Sequence, residues 1–245
     1  MAAHHTEEQV KQNYVAAMGP TLGKFFHQLW NECVWLHWKW DEYVALFGTK
    51  QQRLDLLMKT APAFFTVVDD CLWNDVLLHL ARLTDPKNVA GKDTLTLHRL
   101  PQLVEPAVRD AVWAQLKDVI NKTKFARDRR NRHIGHRELS LALQENAKPL
   151  EPASRKAVSD AIKAVADLLS VVDEHYCNST VGYEHSKIGD AEALLQLSEP
   201  RSMRLRIATG PSKRAKWNCW SGSASPSRRR SFPLQSLPRR WRRWC

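Results

Sequence analysis

The chain has 245 residues, 43% of them apolar, and a formal net charge of +11. This length and apolar share suit one large globular domain or two small ones and exclude a wholly disordered chain. The charge does not argue for a basic body, because residues 201–245 hold 13 Lys and Arg and no Asp or Glu, leaving 24 basic and 26 acidic residues in 1–200. A nucleic-acid argument from the whole-chain isoelectric point is thereby excluded.

The five cysteines are odd in number, widely spaced and form no CxxC pair, which argues against a disulfide framework or a zinc ribbon. Cys33 and Cys71 read as small core residues. The N-terminus carries His4, His5, Glu7 and Glu8 without an apolar run, so no signal peptide is expected. The most apolar stretch, near Phe64–Leu83, is interrupted by Asp69, Asp70 and Asp75, so no membrane span and a cytoplasmic location are expected.

In chain order, Val10, Tyr14 and Ala17 predict a short helix over 6–18, ended by Gly19-Pro20. Phe26, Leu29, Trp30, Cys33, Leu36, Trp40, Tyr43, Val44 and Phe47 predict a long helix over 21–47, closed by Gly48. Four tryptophans (30, 35, 38 and 40) crowd this helix and cannot share one narrow stripe. Some either reach another subunit or a long loop, or they thicken the core. Thr49 with Gln52 reads as a capping box opening the next helix, which carries Leu54, Leu57 and Met58 up to Ala61-Pro62.

Phe65, Val68, Leu72, Val76, Leu80 and Leu83 predict a fourth helix, stopped by Asp85-Pro86. Residues 86–94 read as a loop and 95–100 as a short helical turn. Pro106 suits the first turn of a helix with Val108, Val112, Leu116, Val119 and Ile120 buried, running on through Lys124-Phe125. After a Pro-containing connection at 147–153, Val158, Ile162, Val165, Leu169 and Val172 define a last long helix ending near His175. Tyr176–Asp190 reads as loop and 190–197 as a short helical stretch. The expected fold is therefore all-α, an up-and-down bundle over residues 1–200. Residues 201–245, rich in Ser, Pro, Arg and isolated Trp, are expected to be disordered. They serve either as an RNA-binding arm or as an out-of-frame end without a role.

Residues 127–137, RDRRNRHIGHR, concentrate arginine, asparagine and histidine inside an otherwise ordinary amphipathic segment. A solvated basic face is the plain alternative. Gly135 is the only glycine between Gly91 and Gly182. A helical glycine costs about 1 kcal/mol relative to alanine, so it predicts a helix end or a close backbone approach. The residue types suit metal-free RNA cleavage. A neutral His takes the proton of a ribose 2′-OH. An Arg forks onto phosphate and stabilises the transition-state charge. An Asn orients either partner.

Arg130-Asn131 followed by His136 resembles the signature of the HEPN superfamily: Arg, a polar residue, then His after four to six intervening residues. RNRHIGHRE together with the upstream LWNDVLLHLARLTDP (72–86) is similar to the AbiU-type branch associated with abortive infection, over about residues 20–195. The resemblance implies a helical bundle, usually dimeric, with two motifs meeting across the interface. It also implies a metal-independent endoribonuclease that leaves a 2′,3′-cyclic phosphate, acting in phage defence or as a toxin. By that match Arg130 binds phosphate, Asn131 positions, and His136 is general base or acid. Arg129, Arg132 and His133 are the neighbouring candidates for substrate binding. A second protomer would bring a second imidazole, one accepting a proton while the other donates.

On an unbroken helix Arg130 and His136 lie about 120° apart, with Arg129 and Arg132 nearer the face of His136. Either the helix breaks near Gly135 or one of those arginines does the work. His133 and His136 lack a third metal ligand, so no metal and no cofactor are expected. Asp69, Asp70 and Asp75 either form a solvated face or pair with the motif arginines. Tyr183-Glu184-His185 is a loop candidate bordering the site. The expected partners are RNA, a second copy of the chain, and an antitoxin or regulatory protein. The rival readings are a non-catalytic HEPN module that binds RNA, nucleotide or protein, and a scaffold working through its Trp-rich helix.

Overall fold

A computed structural model describes residues 6–48, 51–178 and 191. Among them the chain forms eight α-helices and one two-residue β-ladder, an all-α architecture. The first helix, α1 (Glu7–Phe47), is broken at Gly19, whose backbone is left-handed at φ 79°. Glycine alone adopts that conformation without a Cβ penalty. The two halves fold back on each other: Asn31 approaches the Glu7 carboxylate at 3.5 Å, and Tyr14 meets Phe26 edge-on at 5.0 Å. A straight helix would hold residues 7 and 31 roughly 36 Å apart. Gly23 permits the approach, because a Cβ there would lie 2.5 Å from the Tyr14 carbonyl. The two helices expected around Gly19-Pro20 are thus this hairpin.

Helices α2 (Gln51–Thr60) and α3 (Pro62–Leu83) follow, then strands β1 (Asn88–Val89) and β2 (Lys92–Asp93), a 3-10 turn at Leu97–Arg99, and α4 (Leu100–Leu103). The stretch 86–94, expected as plain loop, carries this small antiparallel ladder. Asn88 pairs with Asp93, and Ala90 and Gly91 turn with positive φ. Helix α5 (Pro106–Lys122) starts at its proline as expected, but it stops at Thr123 rather than running through Lys124-Phe125. There the Thr123 hydroxyl bonds back to the Val119 carbonyl at 2.8 Å. Helix α6 (Lys124–Arg129) leads into a π turn at Arg130–Ile134. A short helix not foreseen from the sequence, α7 (Leu139–Leu143), precedes α8 (Arg155–Cys177).

Helix α5 packs along α8, and α1 packs against both α3 and α8. The core holds Phe26, Leu29, Leu36, Leu57, Leu77, Leu80, Leu116, Ile162, Leu168 and Leu169, all essentially inaccessible. Each such side chain contributes on the order of 1.5–3 kcal/mol by leaving water. Trp40 adds a polar tie, its indole N–H donating to Ser159 Oγ at 3.0 Å. Cys33 is core as expected, whereas Cys71 is exposed on the outer side of α3. The tryptophans divide. Trp40 is buried and Trp30 partly buried, while Trp35 and Trp38 are exposed and stack on each other at 5.2 Å. The expectations for Thr49, for 183–185, for the helix at 190–197 apart from helical Ala191, and for 201–245 lie outside the described residues.

Candidate functional site

The end of α3 builds the floor of the site. Thr84 caps the helix, its hydroxyl donating to the Leu80 carbonyl at 3.1 Å. Thr96 then clamps the exit, its hydroxyl donating to the carbonyls of Asp85 (2.7 Å) and Leu83 (3.1 Å). Pro86 forbids further helix. The result is a rigid, buried Thr84-Asp85 corner whose polar groups face α6 and the π turn.

Two arginines reach this corner. Arg127 donates to the carbonyls of Thr84 and Ile120, both at 3.3 Å. Arg130 sets Nη1 2.8 Å from both carboxylate oxygens of Asp85 and bonds to Oδ2. His98 sits beside the same corner, in the field of Arg127 and Asp85. Burial lowers its pKa, and a hydrogen bond to the Thr84 backbone opposes that shift. LTDP and RNRH, 45 residues apart in sequence, therefore meet as one ion pair.

After Arg130 the chain winds one π turn, with the Gly135 N–H donating to the Arg130 carbonyl at 2.8 Å. Such bulges occur frequently at functional sites. A Cβ on Gly135 would lie 3.1 Å from that carbonyl oxygen, so the glycine answers a close backbone approach. The helix ends there, and His136 follows in a bend. The helix break expected near Gly135 is present.

Arg132 turns to the following loop. It pairs with Glu138 at 2.5 Å and Asp128 at 3.3 Å, and donates to the Lys148 carbonyl at 2.6 Å. Asp128 also accepts the Glu151 N–H at 2.8 Å. The hydrogen bond from Arg132 holds the Glu138 carboxyl below its usual range, aided by the Ser140 hydroxyl. These bonds fasten 136–151 onto α6. Arg129 is half-buried.

Asn131, His133 and His136 are exposed. Among the described residues their side chains make no hydrogen bond or ion pair. The motif thus splits into an anchored arginine, a stapling arginine, and open Asn and His groups on one turn. No cluster of three or more His, Cys, Asp or Glu placed to hold a metal occurs among the described residues. The acidic residues of α3 do not follow the expected alternatives as a group. Asp75 pairs with Lys39 of α1 at 2.6 Å, Asp70 accepts from Asn74 at 3.0 Å, and Asp69 is buried. The carboxylate that meets Arg130 is Asp85, to which the sequence reading gave no role beyond stopping α3. Its neighbour His98 carried no local signal either.

This helical bundle sets its Arg-Asn-x4-His segment on a π turn against the end of α3, and bundle and motif together are those of a HEPN-type domain. The HEPN_AbiU2 family model, described as AbiU2, matches residues 20–194, and the chain belongs to that family. Comparison with curated proteins and with solved structures found no match. No described helix is long and apolar enough to cross a membrane.

Proposed function

We propose that this HEPN domain is a metal-independent endoribonuclease acting in phage defence or as a toxin. Two copies contribute Arg130, Asn131 and His136 to one cleft. The observation that carries the reading is the state of the motif. Arg130 is fixed at its base by Asp85, while Asn131, His133 and His136 beside it stand open to solvent.

The chemistry follows from those groups. A neutral imidazole at His136 accepts the 2′-OH proton, and the 2′ oxygen attacks the adjacent phosphorus. The 5′ oxygen leaves, protonated by the second copy's imidazole, and a 2′,3′-cyclic phosphate remains. The Arg130 guanidinium stabilises the extra negative charge as it develops. Asn131 and His133 line the same turn and orient the ribose. Arg129 and Arg132 add positive charge to the phosphate path, Arg132 while it holds the loop.

The test is purified full-length chain incubated with RNA in excess EDTA, with the product ends identified. Cleavage with cyclic phosphate ends supports the reading, and intact RNA opposes it. The neutralisation of Arg130 by Asp85 favours a second reading, a non-catalytic module that binds RNA, a nucleotide or a regulatory protein such as an antitoxin. That module would bind RNA in a salt-dependent manner and leave it whole.

A further inference from the structure

We propose that Asp85 is the positioning residue of the ribonucleolytic site, holding Arg130 by Nη1 so that Nη2 faces the phosphate. The inference rests on the catalytic reading above and deepens it. The motif arginines differ in how fully they are used. Arg127 ends on two backbone carbonyls, and Arg132 on two carboxylates and a carbonyl. Both are scaffold. Arg130 engages a single residue, through Nη1 alone, and is about a quarter exposed. A guanidinium is a planar fork of five donors. Pinning Nη1 restrains rotation of the fork and, with Nε buried, leaves Nη2 for a second anion.

Asp85 has the rigidity that this task needs. Its side chain is only 12% exposed, its carbonyl is clamped by Thr96, and its N–H bonds to the Arg82 carbonyl at 3.2 Å. A group that orients another must itself be locked by packing and hydrogen bonds. The corner is tied to α6 a second time through Arg127 and Thr84. Arg130 therefore keeps one orientation relative to the π turn that carries Asn131 and leads to His136. A long, rotamer-rich side chain on an exposed turn would otherwise have to be ordered by each substrate.

The experiment compares wild type, Asp85→Ala, Asp85→Glu, Arg130→Ala and the Asp85→Ala/Arg130→Ala double variant, all full length. Single-turnover cleavage of a short RNA gives the rate and the half-saturating concentration, and thermal melts report the fold. Asp85→Ala is expected to lower the rate by about 10- to 100-fold, as misplaced reacting groups do, with the half-saturating concentration changed far less. Asp85→Glu restores part of the rate, and the double variant is no slower than Arg130→Ala. An Asp85→Ala rate equal to or above wild type, or additive losses in the double variant, overturns the proposal. Where Asp85→Ala does not fold, Asp85→Asn, of the same shape, carries the comparison. If wild type cleaves no RNA, it is the catalytic reading that fails. The pair is then read by nitrogen NMR of the Arg130 guanidinium. Rotation that is slow in wild type and fast in Asp85→Asn supports positioning, and equal rotation refutes it.

Discussion

The carbonyl of Arg130 accepts the N–H of Gly135 at 2.8 Å, so the first residue of the motif and the residue before its histidine are joined across one π turn. That bond sets where His136 leaves the helix. Gly135→Ala places a methyl 3.1 Å from the Arg130 carbonyl. At φ −80° alanine is otherwise welcome, and its smaller unfolded-state entropy offsets part of the crowding. Melting should change by less than about 2 °C, equivalent to a ΔΔG within roughly 0.5 kcal/mol. RNA cleavage should fall about tenfold, because the turn must shift. Equal cleavage by Gly135→Ala and wild type would show that the π turn does not set the site.

Arg132 holds the loop after the motif through Glu138, Asp128 and the Lys148 carbonyl. Arg132→Ala should free 136–151 from α6 while the bundle stays folded. Hydrogen exchange should accelerate at Glu138, whose N–H bonds to the Arg132 carbonyl, and at Glu151, whose N–H bonds to Asp128. Unchanged exchange in that loop would remove Arg132 from its stapling role.

Glu32 links α1 to α3. Its carboxylate lies 2.7 Å from Nε2 of buried His79 and accepts from Arg82 at 2.8 Å, and His79, with Arg82 behind it, holds its pKa at about 2. A carboxyl depressed from 4.5 stabilises the fold above the unfolded value, and that stability is lost as pH falls from 4.5 towards 2. Allowing for its partial exposure, the contribution is on the order of 1–2 kcal/mol. Melting temperature measured from pH 6 to pH 2.5 should fall less steeply in Glu32→Gln than in wild type. Parallel curves would show that this carboxyl has no role in acid stability.

Trp40 and the Trp35–Trp38 stack test how one helix divides its aromatics. Trp40 is 6% exposed and bonded to Ser159, so Trp40→Ala should cost about 3–5 kcal/mol. Trp35 and Trp38, at 54% and 40%, mainly stack on each other. Changing both to alanine should cost about 0.5–1.5 kcal/mol. Denaturant titrations of the two variants separate these values.

The bundle was legible because its apolar stripes step by three and four and its prolines fall between them. Gly19-Pro20 announced the hairpin break, Ala61-Pro62 the end of α2, and Pro106 a helix start. The motif was legible as residue types, and Gly135 marked its helix end. The partnership of Asp85 was not legible. An Asp before Pro reads locally as a stop signal, and only tertiary packing of α3 against α6 turns it towards Arg130. Cys71 was misplaced on the usual burial of cysteine, although it lies off the Val68–Leu72–Val76 stripe. Helix α7 escaped notice because its leucines, Leu139, Leu141 and Leu143, are spaced by two and none is buried.

The most direct measurement is RNA cleavage in EDTA by wild type and by His136→Ala, with both proteins shown to melt alike. His136 is exposed and makes no side-chain bond to any described residue, so its loss should leave the fold intact. Wild type should cut RNA to cyclic phosphate ends while His136→Ala leaves it whole. Equal cutting by the two proteins would contradict the account.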